Sequence, residues 1–251
     1  MLEITTLEPE TGEPAIRHIR EAFARGIHVV TANKGPISHA YAALRDEAIS
    51  RQLQFRFESI CMDGAPVFNM ARNCLPGVRI HGFTGVLNST TKIVLAAMQQ
   101  GKSLDEGISE ARAMGITEAD SAYDIDGWDS AAKAAALANV LMDANVTPLD
   151  VDRQGIRDVT PQLLADLKTQ GKTICLVSRG ERDGSSGAVA LRTRAEVLDA
   201  TDPMASMTGT SNLLLLHTDL MGTIGTISLA PGIEQTAYGL FSDLVDIARN
   251  L

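Results

Sequence analysis

Aromatic residues are scarce in this chain of 251 residues, at 4% with a single Trp, and its apolar runs are short. A run such as Leu213 to Leu216 is far too short to cross a bilayer, so no membrane partner is expected. The opening Met1 to Thr6 has no basic region followed by an apolar stretch, and no secretory leader is expected either. Cysteine is limited to Cys61, Cys74 and Cys175, an odd number without CxxC spacing, which argues against a disulfide framework or a zinc site and for buried, reduced thiols. Positive charge is also short. With 22 Lys plus Arg against 31 Asp plus Glu, the net charge of -9 repels phosphate backbones, so no nucleic-acid partner is expected. These absences together describe a soluble, cytoplasmic protein.

What is present is apolar content, 45% of residues, enough for a sizeable core in one large domain or two coupled small ones. After the run Leu2 to Leu7, Ile16, Ile19, Ala22 and Phe23 recur at helical spacing between Pro14 and Gly26. Ile27 to Val30 then reads as a strand, Ile37, Tyr41, Leu44 and Ile49 as a helix face, and Leu53 to Phe57 as another strand. This βαβαβ order implies a parallel sheet of the nucleotide-binding type. From Glu58 to about Ala230 the texture is α+β. Helices are expected over Val86 to Gln100, Leu104 to Met114 and Ser130 to Asn145, and β-runs over Thr173 to Ser178, Leu213 to His217 and Thr223 to Leu229. Arg179 to Gly187 reads as a hairpin tip, and Glu234 to Asn250 as a closing amphipathic helix.

Three segments can carry chemistry. The stretch from Glu118 to Asp129 packs Glu118, Asp120, Asp124, Asp126 and Asp129 just before an Ala-rich helix. EF-hand spacing is not met, so calcium is not expected, and an acidic loop capping a helix would explain most of the acids. Asp129 and Lys133, however, stand four apart on one helix face beside the only Trp. In a pocket such a Lys can stabilise an oxygen that gains negative charge, while carboxylates hold a cationic substrate group. The second segment, Val29 to Pro36, places Lys34 just beyond the carboxyl end of a strand, where open α/β sheets present their ligands. The third, Gly85 to Thr91, gathers Ser89, Thr90 and Thr91 at a helix start, as capping residues or as a carboxylate-binding turn.

Taken together, Thr31-Ala32-Asn33-Lys34, Asn88-Ser89-Thr90-Thr91, the block from Glu118 to Lys133, Gly209-Thr210-Ser211-Asn212 and His217-Thr218-Asp219 resemble homoserine dehydrogenase in order and spacing. The resemblance implies NAD(P)-dependent interconversion of L-homoserine and L-aspartate 4-semialdehyde, on the route to threonine and methionine. It implies Lys133, Asp129 and Lys34 as catalytic residues, with both lysines near the reacting oxygen. Glu118, Asp124 and Thr90 would bind the amino-acid substrate, and Asn33, Lys34 and Gly232 the cofactor. A monovalent cation such as Na+ would be held by backbone oxygens of Glu58, Cys61, Asp63 and Ala65. The family usually has consecutive glycines where this chain has Met62 and Asp63, a Gly in place of Ser89, and an Asn in place of Lys92. A lysine Schiff base is the rival chemistry, and the resemblance favours hydride transfer.

No GxGxxG occurs anywhere in the chain, and only 33 residues precede Lys34, room for no more than the last part of a dinucleotide domain. The implied fold class is α/β: a partial Rossmann-like parallel sheet plus an α+β substrate-binding and dimerisation domain. Residues 1–57, completed by the helix 235–251, would be the remnant of the NAD(P)-binding domain, and 58–234 the catalytic and dimerisation domain. The open sheet edge invites pairing, so a homodimer or higher homo-oligomer is expected. The alternative function is an inactive binding or scaffold protein that retains the substrate pocket.

Overall fold

The computed structural model describes residues 1–117 and 121–250. The chain opens with β1 (Leu2–Glu3), α1 (Ala15–Ala24), β2 (Val29–Thr31), α2 (Lys34–Ser50) and β3 (Phe55–Arg56). There follow α3 (Phe68–Cys74), β4 (Ile80–Val86), α4 (Ser89–Met98), α5 (Leu104–Ala113), α6 (Ala122–Ile125) and α7 (Trp128–Met142). The last part holds β5 (Asp152–Arg153), α8 (Pro161–Thr169), β6 (Lys172–Arg182), β7 (Val189–Asp199), β8 (Asn212–Thr218), β9 (Thr223–Ser228) and α9 (Ile233–Arg249).

The expected βαβαβ unit is present. Strands β1, β2 and β3 form a parallel sheet in that order, with Val30 opposite Leu2 and Val29 opposite Phe55. The second sheet is mixed, in the order β5-β7-β6-β4-β8-β9, and parallel only between β5 and β7. Helix α9 returns at the end of the chain to pack against β2.

Several elements depart from expectation. Val86 ends a strand instead of opening a helix, and α4 starts only after Asn88, whose side chain accepts the Thr91 N–H as an N-cap. Strand β4 escapes pattern reading because its sequence IHGFTGV is interrupted by Gly82 and Gly85, where neighbouring strand backbones pass close by. Strand β6 runs on to Arg182, which narrows the hairpin tip to the turn between Asp183 and Ala188; there the Asp183 carboxylate accepts the N–H groups of Ser185 and Ser186. The unforeseen return strand β7 alternates buried Leu191 and Thr193 with exposed Arg192 and Arg194, a charged outer face that hides its strand period.

Helix α7 is central. Its Ala131, Ala134, Ala135 and Ala138 are fully buried, and such small side chains let α2 lie close on one side and the mixed sheet on the other. Leu137 joins Phe23, Ile37, Leu44, Phe83 and Leu216 in a core shared by both sheets. Asp143 ends the helix in the left-handed region at φ 48°, three residues earlier than the alanine pattern suggests. Among the described residues no helix is long and apolar enough to cross a membrane.

Candidate active site

The N-terminal ends of three helices converge. Lys34 is the first residue of α2, Asn88 caps α4, and Asp129 lies in the first turn of α7. An acid at a helix start is favoured by the macrodipole, whereas a lysine there is opposed by it, so Lys34 gains nothing locally from its position. Its charge is held from across the fold.

Asp129 is the hub. One carboxylate oxygen lies 3.0 Å from the Lys34 amine, and the other 3.1 Å from the Lys133 amine and 3.0 Å from the Asn88 amide nitrogen, which donates to it. The group is buried, which by itself would raise its pKa, but the ammonium groups of Lys133 and Lys34 together with Asn88 hold that pKa well below the usual carboxylate range. Burial likewise pulls down on Lys133, yet the Asp129 charge outweighs it and leaves the ammonium more firmly protonated than an ordinary lysine. Lys133 also donates to the Leu87 carbonyl at 2.7 Å. An ammonium has three N–H bonds, so with Asp129 and Leu87 served, one remains for a ligand oxygen.

Asp124 forms the second acidic position. Its oxygens accept from the Asn88 amide at 2.7 Å, the Thr90 hydroxyl at 2.9 Å and the Thr117 hydroxyl at 3.2 Å. Burial first, and then the nearby charge of Asp129, push its carboxyl up, while Asn88 and Thr90 pull the other way. A buried carboxylate beside another carboxylate is a site that a cation relieves. Asn88 therefore links the two acids, a role that its capping position disguises in the sequence. Glu118 lies outside the described residues. Trp128 packs under Arg153, whose guanidinium carbon is 3.7 Å from the ring centroid.

Asn33 is a cap: its side-chain oxygen accepts the Gly35 N–H, and its amide donates to the Thr5 carbonyl. Gly232 stands exposed at the start of α9, its N–H bonded to Gln235. Among the described residues, no hydrogen bond or ion pair joins Gly232 to Asp129 or the lysines. In the segment with the expected cation donors, the Glu58 carboxylate accepts the N–H groups of Val67, Phe68 and Asn69 at the start of α3. Its side chain is thereby committed to structure, and only main-chain oxygens are left for an ion. The tight turn survives without consecutive glycines: Asp63 adopts φ 59°, and Gly64 and Ala65 both donate to the Met62 carbonyl. A Cβ on Gly64 would meet the Gln235 carbonyl at 2.1 Å, which explains why that one glycine is kept. Cys61 is buried beside the site, its thiol 4.0 Å from the Lys133 carbonyl and pushed up by burial to about 12, hence inert.

Lys92 is the residue that sequence reading left without a role. Its buried amine donates to the Ser211 carbonyl and, at 2.8 Å, to the Asn212 side-chain oxygen. Asn212 in turn donates to Asp63 at 3.3 Å. Burial and the Lys133 charge pull the Lys92 ammonium down to about 7, opposed by Asp63 and Cys175. A folded value below the unfolded 10.5 means that unfolding takes up a proton between those limits, so stability rises with pH there and the cost is constant below about 7. Between pH 7 and 9 the unfolding free energy of the parent should gain about 2–3 kcal/mol more than that of Lys92→Met, read by urea denaturation. Equal pH slopes for the two proteins would refute this.

Comparisons with known proteins bear on the family of the whole chain. The homoserine dehydrogenase family profile matches residues 66–245. The chain is 34% identical over 248 residues to an NAD(+)-dependent homoserine dehydrogenase of Pseudomonas canavaninivorans, covering 99% of this chain and 70% of that protein. It is 36% identical to a homoserine dehydrogenase of Methanocaldococcus jannaschii, covering 98% of this chain and 72% of the relative. In structure it resembles a homoserine dehydrogenase from Thiobacillus denitrificans with a TM-score of 0.88 and 27% identity, over 99% of this chain and 56% of the other. With two lysines gathered on one aspartate and a match that runs through nearly every element, this chain belongs to the homoserine dehydrogenase family.

Proposed function

We propose that the protein interconverts L-homoserine and L-aspartate 4-semialdehyde with NAD(P), as an oxidoreductase of amino-acid biosynthesis, and that Lys133, Lys34 and Asp129 form its catalytic group. The observation that carries this reading is the Asp129 carboxylate held between the amines of Lys34 and Lys133, at 3.0 and 3.1 Å.

A nicotinamide cofactor, when bound, supplies or accepts the hydride. As the aldehyde carbon is reduced, its oxygen gains negative charge, and a preorganised ammonium in a site that excludes water stabilises that charge most. Lys133 directs its remaining N–H at this oxygen and gives it the proton; in the oxidative direction the same nitrogen takes the hydroxyl proton back. Lys34 adds a second positive charge, and Asp129 keeps both amines in place. Asp124, kept oriented by Asn88 and Thr90, receives the substrate ammonium together with Glu118. Asn33 and Lys34, at the carboxyl end of a parallel strand, suit the nicotinamide end of the cofactor, and Gly232 is a further cofactor-binding position in this reading.

Residues 1–57 with the segment 235–251, whose helical part belongs to α9, then form the cofactor side, and 58–234 the catalytic and dimerisation part, supported by the parallel sheet and by α9 packing on β2. The main-chain oxygens of Glu58, Cys61, Asp63 and Ala65 are the donors for a monovalent cation such as Na+. A cytoplasmic homodimer or larger homo-oligomer completes the proposal, supported by β1, which among the described residues pairs on one side only, and by Ile233, Phe241 and Leu244, exposed at helical spacing along α9.

Incubation with L-homoserine and NAD or NADP at alkaline pH is expected to produce reduced nicotinamide, followed by absorbance. Absence of turnover with homoserine still bound would favour a binding protein that retains the pocket.

A further inference from the structure

Among the described residues, one buried side-chain polar atom has no hydrogen-bond partner: the hydroxyl oxygen of Tyr123, on the short helix α6. A buried hydroxyl usually finds a partner, and one that does not marks a place where a missing partner belongs. Its surroundings are those of the site. Tyr123 immediately precedes Asp124, and the charges of Asp129, Asp124 and Glu8 act on it, with Arg153 opposing them. Burial, followed by those three acids, raises its pKa well above that of an ordinary tyrosine, so the group remains an O–H donor at any working pH. It donates to neither neighbouring carboxylate, and Asp124 already accepts from Asn88, Thr90 and Thr117.

The inference rests on the functional reading above. In an α-amino acid the ammonium and carboxylate share one carbon, so a donor for the carboxylate has to stand next to the acids that take the ammonium. Lys133 and Lys34 serve the other end of the molecule, where the oxygen reacts. We propose that Tyr123 is a specificity-determining residue whose hydroxyl donates a hydrogen bond to the substrate α-carboxylate. Arg153, stacked on Trp128 and bonded to the Asp126 carbonyl, adds positive potential on the same side. The site thereby selects an amino acid over an amine that carries the same alcohol.

The test is Tyr123→Phe, which removes a single oxygen, with ligand affinity measured by calorimetry on the full chain. L-Homoserine should bind about tenfold or more weakly to the variant, as expected when a hydrogen bond to a charged group is lost. 3-Aminopropan-1-ol, which lacks the carboxylate, should bind parent and variant equally. The melting temperature should stay the same or rise, because no protein hydrogen bond is removed. Unchanged homoserine affinity in the variant would overturn the assignment of Tyr123 alone, as would equal weakening for both ligands. Failure of the parent itself to bind homoserine would overturn the functional reading along with it.

Discussion

Lys133→Met is expected to lower kcat by about 10³-fold or more while leaving the fold intact, because proton donation and oxyanion stabilisation depend on the same nitrogen. The substitution fills nearly the same volume in a buried position, and Asp129 keeps Lys34 at 3.0 Å as its counter-charge. Substrate affinity should fall much less than kcat, since the lysine is matched to charge that develops only in the transition state. Lys133→Arg should restore little. A guanidinium is longer and planar, and it cannot give up a proton at working pH. Steady-state rates with homoserine and either nicotinamide check this; a variant within tenfold of the parent would remove Lys133 from the chemistry.

Asp129→Asn should cost both activity and stability. It leaves Lys34 and Lys133 buried without the charge that they share, and breaking a buried pair in this way costs about 3–5 kcal/mol. The amines then repel each other, and kcat should drop by about 10²–10³-fold as the reacting oxygen loses its preorganised partners. A pH signature separates this from simple unfolding. Asp129 is what holds the Lys133 ammonium above the ordinary lysine value against burial, so without it the alkaline limb of the rate profile for aldehyde reduction, the direction that needs the protonated amine, moves to lower pH. The acid side has the opposite sense. Because the folded Asp129 is more acidic than in the unfolded chain, its contribution to stability is complete above the unfolded value and is lost as pH falls through the lower folded one, below about pH 4. The Asn variant should lose that part of its acid sensitivity. An unmoved alkaline limb in a folded variant would show that the two residues are not coupled.

Local pattern reading succeeded where the period was clean. Ile16, Ile19 and Phe23 did mark a buried helix face in α1, and the strands after it did form a parallel sheet. It failed at β4, where glycines interrupt the strand, and at β7, where arginines occupy the outward positions. Within the site, the i,i+4 spacing of Asp129 and Lys133 was legible because a helix face is a local property. The bridging by Asn88 was not: in the sequence it falls inside the helix expected from Val86, and its amide reaches both acids only because α4 and α7 begin side by side.

The residues alone determined the α/β class, the acidic balance and the placing of Asp129 and Lys133 on one helix face, since composition and periodicity depend on near neighbours; hydride transfer was what the family resemblance implied. Only the tertiary structure decided that Lys34 meets Asp129, that Lys92 is enclosed among carbonyl and amide oxygens, and that the Tyr123 hydroxyl is left without a partner. Such contacts arise from how whole helices and sheets close-pack, a sum over many distant side chains that no short stretch of chain contains.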